Sequence, residues 1–252
     1  MQGTGPCESQ LLAENGPVNT TIAGKVALVA GGTGGLGRAV SLAFLESGAS
    51  VVVTYRRREE FTALKAAAGA DGARLDGHEV DVTDERVVRG LIEAVLGTHG
   101  GLDVLVNAVG GYTGGTPLWE QEAQALDRML DLNLRSGYTL MRAVVPAMLR
   151  KGHGAIVNVA STAALDHAAG NAAYAASKAA AVALVDSLAE DLKGTAVRAN
   201  SILPHLIDTE ANRKAMPKAD FSKWPKPEEI ARVILFLVSD DAELVRGAAI
   251  RV

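Results

Sequence analysis

Tyr174 and Lys178 stand four residues apart in "NAAYAASKAAAVALVDSLAEDLKG", residues 171–194. So alanine-rich a stretch reads as helix, and positions i and i+4 are neighbours on a helix surface. A phenol beside an ammonium can donate a proton, and the cation's charge can tune that proton's acidity. The same pair also suits plain packing, with the ring buried and the lysine stem lying along an apolar face. Two more polar residues bear on the choice. Ser161 closes "VNVAS", and Asn133 sits in "DLNLRSG". Ser161 falls at the carboxyl end of a β-rich run, where open parallel sheets bind ligands. Asn133 falls where a helix could bend. The four come from different elements that can converge on one crevice.

The elements that must position them alternate. β-rich runs at 25–30, 50–55, 77–82, 102–109, 154–160, 196–203 and 247–252 are separated by helical stretches. These follow the runs at about 35–46, from 57, from 84, at 120–133 and 136–150, at 172–193 and at 227–239. Such alternation predicts right-handed βαβ units and a parallel sheet covered by helices on both faces, in a single domain over 23–252. Residues 1–22 read as a loosely ordered tail without the basic segment and apolar core of an export signal.

The first run leads into "AGGTGGLGRAV", with Gly31, Gly35 and Gly37 before a helix. A glycine turn between strand and helix lets backbone N–H groups approach a pyrophosphate, which the helix N-terminus favours. Gly31, Thr33, Gly35, Leu36 and Gly37 are therefore expected to hold a dinucleotide. An acid at the end of the second run would accept from the ribose hydroxyls and repel a 2′-phosphate. Here Tyr55 occupies that place, followed by Arg56, Arg57 and Arg58. Guanidinium forks match phosphate, so NADP(H) is favoured, with NAD(H) possible. Asp81 and Val82 are placed to receive the adenine. Asn107, Ala108 and Val109 in "NAVG" bring backbone to the cofactor.

Together these residues resemble the short-chain dehydrogenase/reductase family. The resemblance covers about 23–252 and rests on Gly31/Gly35/Gly37, Asp81, "NAVG", Asn133, Ser161 and the Y-x-x-x-K pair Tyr174–Lys178. It implies a Rossmann-type, doubly wound, seven-stranded parallel sheet of order 3-2-1-4-5-6-7. It also implies an NAD(P)-dependent enzyme that interconverts a carbonyl and a secondary alcohol, like a 3-oxoacyl reductase. In that family Tyr174 exchanges the proton with the substrate oxygen and Ser161 hydrogen-bonds that oxygen. Lys178 lowers the phenol pKa and holds the nicotinamide ribose, and Asn133 holds a water joining Lys178 to solvent. Pro204, Ile207 and Thr209 are expected beside the carboxamide and pyrophosphate. No metal is implied. A homotetramer, or a dimer, packed through 172–193 and 136–150 is expected.

Two departures stand out. The family's second asparagine after the fourth strand is Ala108 here, and His205 follows Pro204 where glycine is usual. The segment 206–224 resembles that of dihydropteridine reductases, so pterin reduction is an alternative. Asn212, Arg213 and Lys214 in it are candidates to contact a polar or anionic substrate. A reading of another class is a dinucleotide-binding regulator without catalysis, which would not need the phenol.

The bulk numbers agree with a small-molecule enzyme. A net charge of −4 argues against nucleic acid and acidic membrane surfaces as partners. Cys7 is the one cysteine, so no disulfide can form within the chain, and a cytoplasmic location is expected. No apolar run approaches the roughly 18 residues of a membrane span.

Overall fold

The computed structural model describes residues 22–252; the tail read over 1–22, and Cys7, lie almost wholly outside them. Seven parallel strands form one sheet of order β3-β2-β1-β4-β5-β6-β7. They are β1 (Val26–Ala30), β2 (Ser50–Tyr55), β3 (Leu75–Glu79), β4 (Val104–Asn107), β5 (Gly154–Val159), β6 (Val197–Leu203) and β7 (Ala249–Arg251). The helices are α1 (Gly35–Glu46), α2 (Arg58–Ala67), α3 (Glu85–His99), α4 (Ala125–Leu130), α5 (Ser136–Lys151), α6 (Ala172–Asp191), α7 (Glu210–Ala215) and α8 (Pro227–Val238).

β1 reads VALVA and is buried throughout, the unbroken apolar run of a strand covered on both faces. Its residues alternate between two cores. Ala27 and Val29 pack with Val40 and Phe44 of α1 and with Ile230 and Ile234 of α8. Leu28 and Ala30 pack on the other face with Leu91 of α3, Leu140 and Val144 of α5 and Val185 of α6. The strand order reverses between β1 and β4, which opens a crevice at their carboxyl ends.

Several boundaries differ from those read off the sequence. β3 covers 75–79, not 77–82, because pairing to β2 (Val51 with Leu75 through Tyr55 with Glu79) sets its frame. Asp81 and Val82 therefore lie in the turn beyond it. β4 is limited to 104–107, and the turn after it begins at Ala108. The helix read at 120–133 is a short 3₁₀ turn at Leu118–Glu120, then α4, then a π-helical segment, Asp131–Arg135, that runs into α5. By length and composition α6 does qualify as a membrane span, with a mean hydropathy of 1.2 over its best window. It passes because core alanines and valines dominate it; Ala181, Val182 and Val185 are buried against the sheet layer.

Candidate active site

The glycine turn is shaped by contacts that leave no room for side chains. Gly31 has φ +71°, a left-handed conformation that favours glycine. A Cβ there would also lie 3.1 Å from the Val109 side chain and 3.3 Å from the Ala108 carbonyl. At Gly37 a Cβ would fall 2.1 Å from the Gly31 oxygen, so only glycine lets α1 start against the turn. At Gly35 it would meet the Thr209 methyl at 2.8 Å. The result is a cradle of bare backbone at a helix N-terminus, walled by Ala108–Val109 on one side and Thr209 on the other. Its donors and its position at the sheet's reversal point suit a pyrophosphate.

Asn107 does not reach this cradle with its side chain. It is 1% exposed, donates to Asn158 Oδ1 at 2.8 Å and accepts from the Val109 amide at 3.2 Å. It shapes the 108–110 turn from beneath. Thr209 caps α7, accepting from the Asn212 amide at 3.2 Å, and Pro204 is buried with its carbonyl on the Thr162 amide. Ile207 receives the Asn212 side-chain amide on its carbonyl at 2.8 Å, packing at the edge of the α1–α8 core.

The adenosine side differs in detail from the reading of "YRRR". Tyr55 is 5% exposed and stacks on Phe61, ring centroids 5.0 Å apart, so that ring face is occupied. Arg56 pairs with Asp81 at 3.3 Å, both well exposed. Thr83 donates its amide and hydroxyl to Asp81, which, with Arg56 beside it, holds that carboxyl below its ordinary range. Arg57 pairs with Glu60, and Arg58 forms no ion pair among the described residues. Glu60 also accepts from the Thr33 hydroxyl at 3.0 Å. An acid thus stands on the rim of the glycine cradle, delivered by α2 rather than by the end of β2. No motif marks it; its only trace in the sequence is its place three residues after Arg57.

The four chemical residues meet at the carboxyl end of β5. Ser161 is buried, accepts from the Ala163 amide at 3.2 Å and lies beside the Tyr174 hydroxyl, near enough to oppose the rise of the phenol pKa. Lys178 is 4% exposed; its Nζ donates to the Val159 carbonyl at 3.2 Å and lies 6.0 Å from the centre of the Tyr174 ring. Asn133 sits in the π-helical segment, whose wider turn aims its amide inward. Its Oδ1 accepts from the Gly111 amide at 2.9 Å, and its Nδ2 donates to the Gly111 carbonyl at 3.1 Å and to Ser177 Oγ at 3.0 Å. Ser177 in turn donates to the Tyr174 carbonyl at 2.7 Å. Gly110 fills the space between: a Cβ there would lie 2.9 Å from Asn133 Oδ1 and 3.1 Å from Lys178 Nζ.

Burial governs the electrostatics. Desolvation pushes the Tyr174 phenol above 10.0; Ser161 opposes this, and Tyr112 adds to it. Lys178 is desolvated too, and its pKa falls to about 8, so it still carries its charge at neutral pH, with Nζ aimed at a carbonyl. Of the pair, the lysine is the group brought near neutrality.

Above Ser161 and Tyr174 opens a cleft of about 780 Å³. His205 lines it with its Nδ1 3.0 Å from the Thr162 hydroxyl. Asn212 lines it too, but Arg213 and Lys214 do not. Arg213 grips Asp208 at 2.5 and 2.7 Å, and Lys214 pairs with Glu210 at 2.6 Å. Asp208, just before the helix, and Glu210, one turn back on α7, hold the two cations, and neither lines the cleft. Tyr112, which the sequence reading did not single out, meets the Tyr174 ring edge-on at 5.0 Å. Its only signal is an aromatic residue directly after the glycines of "NAVGG". Among the described residues no cluster of three His, Cys, Asp or Glu is placed to hold a metal ion.

Comparison with known proteins fits this arrangement. The family model for short chain dehydrogenases matches residues 25–220. The chain is 34% identical to the 3-oxoacyl-[acyl-carrier-protein] reductase FabG of Thermotoga maritima, over 90% of this chain and 95% of that one. Among solved structures, ElxO with NADP bound superposes with a TM-score of 0.85 at 26% identity, covering 90% of this chain and 96% of that one. A 7α-hydroxysteroid dehydrogenase complexed with NADH and 7-oxo glycochenodeoxycholic acid gives 0.84 at 30% identity, covering 93% and 94%.

Proposed function

The chain belongs to the short-chain dehydrogenase family of oxidoreductases, and from that premise we propose that it is an NADP(H)-linked ketoreductase, interconverting a ketone and a secondary alcohol. The observation that carries this reading is that Ser161 and Tyr174 line one cleft together, with Lys178 buried one turn behind the phenol.

When bound, the nicotinamide supplies the hydride that reduces the carbonyl carbon. Ser161 donates to the substrate oxygen and places it against the phenol. Tyr174 gives its proton to that oxygen as negative charge develops there. The raised phenol pKa keeps the proton on Tyr174 until that moment. Lys178, with its pKa at about 8, sits where a base or acid exchanges readily near neutral pH. It stabilises the phenolate left behind, and Asn133 and Gly110 hold it in place. Arg56, with Arg58, meets the 2′-phosphate beside Asp81, while Gly31 to Gly37 take the pyrophosphate. The apolar side of α6 away from the sheet, with Tyr138 and Leu149 exposed on α5, forms the interface of a homotetramer or dimer.

Parallel fluorescence titrations with NADPH and NADH test the cofactor half. NADPH is expected to bind at least about tenfold tighter, roughly 1.4 kcal/mol. Equal or tighter NADH binding refutes the role given to the arginines. The chemical half is tested with Tyr174→Phe and Ser161→Ala, expected to lose about 10²–10⁴ in kcat on any ketone reduced by the wild type. Retained cellular function in Tyr174→Phe would favour the regulator instead.

A further inference from the structure

The cleft above Tyr174 carries information about the molecule it receives. Its walls are chiefly apolar: Val159, Ala163, Leu206, Ile207, Ala215 and Met216 all face it. No lysine or arginine lines it. Two cations of the neighbouring segments are committed elsewhere. Arg251 grips Asp166 through two bonds of 2.7 and 3.1 Å, which also neutralises the one acid in the lining. Arg213 is held by Asp208 and lies over the Phe221 ring at 4.9 Å. A carboxylate or phosphate entering here would meet no lysine or arginine, only the imidazoles of His167 and His205 and neutral polar groups, and would trade its water for a chiefly apolar wall.

One wall is an aromatic ring held rigidly in place. Tyr112 is 61% exposed, yet its hydroxyl donates to Asn171 Oδ1 at 2.9 Å. The chain around it is pinned to the loop before α6. The Gly115 amide donates to the Gly170 carbonyl at 3.0 Å, and the Gln121 side chain bonds both the Thr116 and the Gly170 carbonyls. Gly114 makes the pairing possible, because a Cβ there would fall 2.2 Å from Asn171 Oδ1. The ring meets Tyr174 edge-on, at right angles within a few degrees. It lines the cleft beside the Tyr174 ring and adds aromatic surface against which a planar substrate can lie.

We infer that this site takes an uncharged ketone with a flat, apolar body, oriented by Tyr112, and discriminates against anionic substrates. The inference rests on the ketoreductase reading and adds the substrate class to it. The test compares 1-tetralone with its 6-carboxylate, two ketones alike around the carbonyl, in NADPH-dependent reduction. The neutral ketone is expected to be preferred by roughly 100-fold in kcat/KM, the scale set by an unpaired charge in an apolar wall. Tyr112→Ala should raise KM for 1-tetralone about tenfold with a smaller change in kcat, since a stacking surface is lost but the proton donor stays. Ala215→Arg, at an exposed position on the cleft wall, should improve turnover of the carboxylate at least about tenfold by supplying the missing cation. Equal or better turnover of the carboxylate by the wild type overturns the inference and leaves the ketoreductase reading standing. An unchanged KM in Tyr112→Ala overturns the role of that ring. Reduction of neither ketone with either cofactor overturns both readings.

Discussion

Lys178 is a cost to the fold, and replacing it with methionine should expose that cost. The lysine is 4% exposed and its pKa falls from 10.5 to about 8 through desolvation alone. Below pH 8 it is charged in both folded and unfolded chains, and the folded state carries the full penalty. Between pH 8 and 10.5 the folded lysine is neutral while the unfolded one still binds a proton. Wild-type stability therefore climbs with pH across that window. The drop corresponds to about 3 kcal/mol at neutral pH. Methionine has a similar length and no charge, but it forfeits the bond from Nζ to the Val159 carbonyl, worth about 1 kcal/mol. Lys178→Met is thus expected to be about 2 kcal/mol more stable than wild type at pH 7, or roughly 4–8 °C in Tm. Near pH 10.5 the advantage disappears, and activity is lost at every pH. Urea unfolding of both proteins at pH 7 and pH 10.5 measures this. A variant less stable than wild type at pH 7, or a difference independent of pH, refutes the view that Lys178 is held charged against its surroundings.

Three other perturbations have defined outcomes. Gly110→Ala puts a methyl against Asn133 Oδ1 and Lys178 Nζ; kcat should fall about 10²-fold as Lys178 is displaced, with NADPH affinity changed far less, read by steady-state kinetics and titration. Glu60→Gln keeps the bond to Thr33 and removes a negative charge from the cradle rim. It should tighten NADPH binding about threefold to tenfold and NADH binding less, since NADH brings only the pyrophosphate charge, whereas weaker NADPH binding would mean that Glu60 orients Arg57 for the phosphate. Gly37→Ala collides with the Gly31 carbonyl; it should abolish binding of both dinucleotides and lower stability by about 1–3 kcal/mol, seen by titration and thermal melting.

The central strands and the doubly wound plan are legible because β1 is an unbroken apolar run and β2 and β5 carry runs of β-branched apolar residues, as buried parallel strands do, while β6 is recognised by its ends, since Arg198, Asn200 and Ser201 interrupt it. β3 is not legible. Its sequence, LDGHE, has no β-forming pattern, and its residues are mostly part-exposed at the sheet edge. Its frame comes from pairing with β2 and from Phe61 lying over Gly77, both contacts with distant segments. The bend at Asn133 shows in the sequence only as polar residues in a helical stretch, and the π segment locates it. α7 reads EANRKA, with no apolar periodicity, and is a helix because Thr209 caps it and its ion pairs support it. Tyr174, Lys178, Ser161 and Asn133 could be picked out because their types and spacing are rare together. Glu60 and Tyr112 could not, since an acid on a helix and an aromatic in a glycine turn acquire meaning only from what lies opposite.

The touch between Gly35 and Thr209 sets an order of events. Thr209 is the cap of α7, and α7 carries Asn212 and Ala215 on the cleft wall. Its methyl rests where a Cβ of Gly35 would be, so the floor of the phosphate cradle and the base of the cleft wall are one surface. Whatever seats itself among the glycines must settle against Thr209 before the wall beyond it takes final shape. Turnover should then follow a compulsory sequence, with dinucleotide first on and last off. Product inhibition would carry its mark: the departing dinucleotide competes with its incoming counterpart, and the alcohol does not.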